Sequence, residues 1–293
     1  MANVPLNGPV LLVSNHPNSF MDALLIGAYL PRPTHFLARG DAFNNPVLAK
    51  IFKAYHMLPV YRISEGKENI EKNFETFDVS YTAVNEGGMV LIFGEGLCKN
   101  NWDLRPLKKG PARIASRAWS GNDAARNLVI IPVGLTYEHF EGGGKSVIIN
   151  YGQPITRETM AGEIGAPNFV QQLNARIAGQ LESLAYVNPE LQPDSPQHYA
   201  MMQNWQEAER TKEDVLTRLK TGMMPDKAGK RSKRWFTTIH LTLVALPHYW
   251  VSKAVARKLT KGSVFFDSIF YGLVLFLLPV YLLVLAGLIC YFI

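Results

Sequence analysis

The sequence predicts an α/β fold with a mostly parallel central sheet flanked by helices, followed by a C-terminal hydrophobic membrane segment. Three observations carry this. Short continuous apolar runs such as Pro9-Val-Leu-Leu-Val13 and Met89-Val-Leu-Ile-Phe93 fit strands buried on both faces. They alternate with longer stretches of helical spacing, which is the pattern of βαβ units. Residues 268–293 form a run of 26 residues without a charge, where ~20 apolar residues suffice to cross a bilayer.

The elements follow in order. Residues 9–13 read as a strand and 19–29 as a helix closed by Pro31. Residues 34–37 are a short strand, 45–55 a helix with Pro46 suited to its first turn, and 58–61 a strand. Residues 69–85 form a helix stopped by Gly87-Gly88, and 89–93 a strong strand. A helix at 111–119 and strands at 128–133 and 146–151 come next, with Glu141-Gly-Gly-Gly144 as a turn. Residues 169–184 are helical, the proline-rich stretch 188–197 closes the body, and 198–220 reads as a polar helix leading to the tail. In the tail, 235–252 is uncharged but rich in Thr and His. It lies between basic clusters, which favours an interfacial or re-entrant segment over a spanning one. A two-helix hairpin is the rival. Pro279 is expected to kink the last segment or turn it back.

Charge narrows the partners. The net charge is +6, but residues 227–293 hold nine basic residues against the single acid Asp267. The first 226 residues hold 21 basic and 23 acidic side chains, so the body lacks the basic surface that nucleic-acid binding needs. The basic collar suits anionic lipid headgroups instead. Cys98 and Cys290 are too few for a disulfide framework or a four-ligand zinc site. Residues 1–9 lack the basic region of a secretory signal.

Chemistry-bearing residues gather at strand ends, where α/β folds build sites. In Ser14-Asn-His-Pro-Asn-Ser-Phe-Met-Asp22, His16 suits a general base and Asp22 could fix its tautomer. Ser19-x-x-Asp22 also fits a capping box, so Asp22 could serve only to start a helix. After the strand 89–93, Gly94-Glu-Gly-Leu-Cys-Lys99 lets backbone approach a ligand. Lys99, Arg105, Lys108 and Lys109 could pair with a phosphate there. Arg39 and Arg62 stand at two further strand ends and read equally as structural or functional. The dinucleotide-binding and P-loop patterns are absent, and so is Gly-x-Ser-x-Gly.

Four of these blocks occur in a telling order: Asn15-His16 with Asp22, a strand-end Arg62, Phe93-x-Glu95-Gly96, and Ile131-Pro132-Val133. Over roughly residues 9–155 the chain resembles the PlsC-like glycerolipid acyltransferases. The His-x5-Asp spacing and the hydrophobic tail resemble the glycerol-3-phosphate/dihydroxyacetone-phosphate acyltransferase branch. Three departures stand out: Gly94 where the family usually has proline, Cys98 where a basic residue is common, and Met57 where a glycine leads the second block. The resemblance implies a glycerol-3-phosphate acyltransferase-like fold. It implies His16 as base and Asp22 as its orienting partner. Arg62 with Lys99, Arg105, Lys108 or Lys109 would hold the acceptor phosphate, Glu95 and Gly96 would shape its pocket, and Pro132 would lie near the acyl-donor path. It implies no metal and no cofactor. The partners would be membrane lipids, acyl-CoA or acyl carrier protein as co-substrate, and a phosphorylated glycerol acceptor. The expected product is an acylated glycerol phosphate for phospholipid synthesis. The alternatives are a lysophosphatidate or other lysolipid acceptor, or a non-catalytic lipid-binding role. The expected organisation is a catalytic domain at 1–190, a linker and polar/basic helix at 191–234, and membrane-associated segments at 235–293. The domain would face the cytoplasm, at a bacterial inner membrane rather than the endoplasmic reticulum.

Overall fold

The computed structural model describes residues 3–60, 69–142, 145–211, 214–222, 235–261 and 263–292. Six strands form one sheet: β1 (Val10–Ser14), β2 (Thr34–Arg39), β3 (Met57–Val60), β4 (Met89–Phe93), β5 (Val129–Tyr137) and β6 (Val147–Tyr151), in the order β3-β2-β4-β1-β5-β6. The first five are mutually parallel and β6 runs antiparallel on β5. Ser14 is level with Phe93 of β4 and with Val133 of β5, so the C-terminal ends of the three central strands open on one edge.

Alternation along the strands divides the core in two. Leu11, Val13, Val90 and Ile130 face α3 (Asn69–Asn85), α4 (Gly110–Ser120) and α5 (Phe169–Leu184). Val10, Leu12, Met89, Leu91, Ile131, Val133, Leu135 and Tyr137 face α1 (Ser19–Tyr29), α6 (Pro196–Thr211) and α7 (Val215–Thr221). Each buried aliphatic side chain contributes about 1.5–3 kcal/mol, and a one-residue slip would exchange the two faces. That combination pins the register. A further helix, α2 (Pro46–Ala54), joins β2 to β3.

Two elements of the body extend or divide differently from the sequence expectation. β5 runs four residues beyond 133, because β6 pairs with it from Val133–Tyr151 to Tyr137–Val147. Gly134 is a packing position, where an added Cβ would meet the Leu184 backbone at 2.6 Å. The polar stretch 198–220 is two helices, and α6 buries Met201 and Trp205 in the second core.

The tail is a helical hairpin. α8 (Trp235–Thr260) continues through Pro247 and on past Lys253 and Arg257. It packs against α9 (Phe266–Phe292): Tyr249 meets Phe270 edge-on at 5.1 Å, and the His248 Nε2–H group bonds to the Val274 carbonyl at 2.9 Å. Pro279 lies inside a continuous α9 and does not turn it back; membrane helices tolerate an interior proline because neighbours satisfy the freed backbone groups. Among the described residues, α9 is the one helix long and apolar enough to cross a bilayer. Its side chains stand out from the protein, with Phe276 73% and Leu283 74% exposed.

The chain is therefore expected to stay with membranes through an alkaline carbonate wash. Replacing Phe276 and Leu283 together by Arg costs ~2.5–3.5 kcal/mol per residue at a bilayer centre and should release much of it. Equal retention of both forms would remove the anchoring role of α9.

Candidate active site

The site is built where β1 ends. Ser14 Oγ–H bonds to the Val133 carbonyl at 2.9 Å. Asn15 then continues the ladder with its side chain: Nδ2 donates to the Leu135 carbonyl at 3.0 Å, and Oδ1 accepts from the Leu135 N–H at 2.8 Å. An amide side chain can do both at once, which fastens the loop to the extended β5 and leaves His16 projecting from the sheet edge. The His16 ring lies flat on Phe93, with centroids 3.8 Å apart and planes 10° apart.

His16 Nδ1 lies 2.8 Å from Asp22 Oδ2. The same oxygen accepts the Asn18 N–H at 2.8 Å, and Asp22 Oδ1 accepts the Tyr137 hydroxyl at 2.6 Å. Asp22 is 0% exposed, so these donors replace water around a buried carboxylate. Asp22 thus makes both contacts, one to the imidazole and one to the start of the helix. The N-cap is Asn18, one residue before the expected Ser19, and its side chain makes no capping bond. Asp22 reaches back to the Asn18 N–H and holds His16 with the same atom. Ser19 has a positive φ of 49°, a conformation non-glycine residues rarely adopt; it is kept there with its N–H on Cys98 Sγ at 2.8 Å.

With Nδ1–H committed to a carboxylate, the ring's lone pair is on Nε2, and the imidazole is 18% exposed. Burial, with the Asp22 charge beside it, pushes the Tyr137 phenol far above its usual range, so it remains a donor. Burial likewise pushes the Cys98 thiol up to about 12; it is a neutral packing group rather than a nucleophile.

The loop after β4 lies alongside. The Gly94 N–H bonds to the Ser14 carbonyl at 3.1 Å, and the Lys99 N–H to the His16 carbonyl at 3.3 Å. Gly94 has a physical reason here: an added Cβ would meet Leu107 at 2.8 Å and Val13 at 3.0 Å. Gly96 takes a φ of 68°, which turns the loop. Glu95 is 2% exposed, and its Oε2 pairs with Arg105 at 2.5 Å. Burial raises the Glu95 carboxyl above its ordinary range and the Arg105 charge partly offsets this. Glu95 Oε1 is buried without a protein partner.

The structure brings together His16, Asp22, Glu95, Gly96 and Arg105. Lys99, Lys108 and Lys109 are exposed on the loop and the start of α4 beside them. Arg62 lies outside the described residues. Pro132 is not brought to this cluster: it is buried inside β5 level with Val13, and strand alternation puts it on the sheet face opposite Phe93. Its carbonyl accepts the Gly152 N–H at 2.8 Å. Sequence reasoning missed Tyr137, Asn18 and Phe93. Only Phe93 had a local signal, its place directly before the Gly-Glu-Gly turn. Among the described residues no three His, Cys, Asp or Glu side chains gather as a metal site.

Residues 1–136 match the Acyltransferase family. Glycerol-3-phosphate O-acyltransferase 2 of Saccharomyces cerevisiae is 32% identical over 92 residues, covering 31% of this chain and 12% of that protein. The 1-acyl-sn-glycerol-3-phosphate acyltransferase of Bacillus subtilis is 27% identical over 114 residues, covering 39% of this chain and 52% of that protein. The matched segments thus span about half or less of these relatives' lengths. The crystal structure of the 1-acyl-sn-glycerophosphate acyltransferase PlsC from Thermotoga maritima superposes with a TM-score of 0.43 and 16% identity, covering 62% of this chain and 70% of that one.

Tyr137→Phe removes one donor from the buried Asp22 carboxylate. The expected cost is ~1.5–3 kcal/mol of stability, the range for a bond to a charged group, read as a shift in the unfolding midpoint in detergent. An unchanged midpoint would show that water fills the place of the phenol.

Proposed function

We propose, from the match of residues 1–136 to the Acyltransferase family and the likeness to two glycerolipid acyltransferases, that the chain is a membrane-bound O-acyltransferase. It moves a fatty acyl group from acyl-CoA or acyl carrier protein to a hydroxyl of glycerol 3-phosphate or dihydroxyacetone phosphate. The single observation that carries this reading is the geometry of one pair at the sheet edge: His16 Nδ1 on the buried Asp22 carboxylate at 2.8 Å, with Nε2 left to take a proton.

The steps follow from that tautomer. Nε2 accepts the hydroxyl proton as the acceptor oxygen attacks the thioester carbonyl. Asp22 keeps the ring oriented and stabilises the imidazolium. The carbon–sulfur bond then breaks, and the thiolate takes the proton from Nε2. Phe93 supplies a flat support that restricts the ring to this plane. Lys99, Lys108, Lys109 and Arg62 hold the acceptor phosphate, while Arg105, committed to Glu95, sets the pocket wall. Pro132, inside β5, is assigned to the neighbourhood of the acyl-donor path. The apolar α9 keeps the site at the bilayer surface, where an acylated product remains, on the cytoplasmic face.

A second acceptor, a 1-acylglycerol phosphate, is favoured by the likeness to the 1-acyl-sn-glycerol-3-phosphate acyltransferase of Bacillus subtilis. A panel separates the two: labelled acyl-CoA and acyl carrier protein, each against glycerol 3-phosphate, dihydroxyacetone phosphate and lysophosphatidate. Transfer to none of them would overturn the reading.

His16→Ala should lower kcat by ~10²–10⁴ with the fold intact, the usual worth of a general base. Asp22→Asn should lower kcat steeply, since an amide cannot stabilise the imidazolium; near-normal turnover would remove the pair from the mechanism. Arg62→Ala and Lys108→Ala should raise the acceptor KM ~10-fold with the donor KM unchanged, because each removes a charge-assisted contact to phosphate.

A further inference from the structure

The His16 loop and the membrane helix meet at one buried carboxylate. Asp267 stands in the first turn of α9, is 1% exposed, and is the only acid among the last 67 residues of the chain. Its Oδ1 accepts the Gly142 N–H at 2.7 Å. Its Oδ2 accepts Asn18 Nδ2 at 3.0 Å and pairs with Lys145 Nζ. Lys145 also donates to the Phe140 carbonyl and lies over the Tyr137 ring at 5.6 Å. One turn along α9, the Tyr271 hydroxyl bonds to the Gly142 carbonyl at 3.1 Å.

Asn18 is the link to the chemistry. It is 0% exposed and lies two residues after His16. Its backbone N–H donates to Asp22 Oδ2, the oxygen that holds the imidazole. Its side chain is fixed by two acceptors, the Phe140 carbonyl at 2.9 Å and Asp267. A buried acid in a first turn complements the helix dipole and here neutralises Lys145, but neither task requires it to reach Asn18 as well.

We propose that Asp267 is a positioning residue for the His16–Asp22 pair: from the first turn of the membrane helix it fixes Asn18, so that proton transfer at His16 requires α9 to be seated against the loop. This rests on the acyl-transfer reading above. The occupant of the contact is the chain's own helix. The consequence is that a chain with α9 displaced keeps its fold and its substrates but holds His16 and Asp22 out of register.

The test separates positioning from charge burial by working in the full-length chain with Lys145→Met, so that no variant strands a charge. Lys145→Met with Asp267→Asn keeps an acceptor oxygen for Asn18; Lys145→Met with Asp267→Leu keeps the volume and loses the acceptor. In mixed micelles the Asn pair should hold kcat within ~3-fold of the native chain, while the Leu pair should lower it ~20–100-fold with both KM values within ~2-fold, as misplacement of a reacting group predicts. Equal kcat for the two pairs would overturn the proposal. Because the Leu pair could lose stability, Asn18→Ala in the native chain reads the link from the other side. It should give a comparable kcat loss, and none further when added to the Leu pair; additive losses would overturn the proposal. The ¹⁵N resonances of the His16 ring report the Nδ1–H bond to Asp22 without turnover. They should move in the Leu pair and stay in place in the Asn pair, and an unmoved ring in the Leu pair overturns the proposal even if no acceptor in the panel is acylated.

Discussion

The carboxylate of Asp22 is the interaction on which the rest of the site depends. It is fully buried, so it must collect donors from protein. The donors it collects come from three separate places: the His16 ring, the Asn18 backbone at the start of α1, and the Tyr137 hydroxyl at the far end of β5. Satisfying one charge therefore fixes a loop, a helix start and a strand end relative to one another. The imidazole is oriented as a by-product of that satisfaction. The cost of the arrangement is visible at Ser19, which the loop holds at positive φ.

The sheet order explains why such a convergence is available. β1 is central, with β4 on one side and β5 on the other; β1 and β4 end level with each other, and β5 runs in the same direction four residues further. The chain leaves β1 through the His16 loop and leaves β4 through the Gly94–Gly96 turn. The two loops are tied by backbone bonds from Gly94 to Ser14 and from Lys99 to His16. Asn15 replaces a missing strand residue with its own amide, so the ladder to β5 persists past the end of β1. Beside this, Glu95 and Arg105 form a second, separate charge pair. The two carboxylates differ in their partners: Asp22 has donors on both oxygens, whereas Glu95 has one oxygen on Arg105 and one without a protein partner.

The C-terminal helical hairpin is joined to this body by a buried ion pair as well as by apolar packing. Lys145 and Asp267 are both enclosed, and burial lowers the Lys145 ammonium while the Asp267 charge opposes the shift. Buried pairs give little net stability over an apolar pair of equal volume, but losing one partner costs about 3–5 kcal/mol. Such a pair specifies one docking geometry more than it strengthens it. For a helix that is otherwise uniformly apolar, a single charged tooth is what distinguishes one rotation about its axis from the others.

The sequence by itself determined most of the elements, because period and punctuation are local. The helices at 19–29, 69–85 and 169–184 and the strand at 89–93 stand where apolar spacing, Pro31 and Gly87-Gly88 put them. It also singled out His16, Asp22, Glu95 and Arg105, since the residue types and strand-end positions needed for proton transfer and phosphate contact are written in short blocks. What only the tertiary structure decided are the matters settled between distant segments. β5 is long because β6 pairs with it, and its extension is what brings Tyr137 to Asp22, 115 positions away in sequence. A polar-looking α6 is buried on one face because the sheet's second face needs a cover. Asp22 caps and orients at once because one oxygen can accept two donors, a fact spacing cannot express. Asp267, one acid in an apolar tail, meets Asn18 across 249 residues. Hydrogen bonds of this kind depend on where the chain returns in space, and periodicity along the chain carries no record of that.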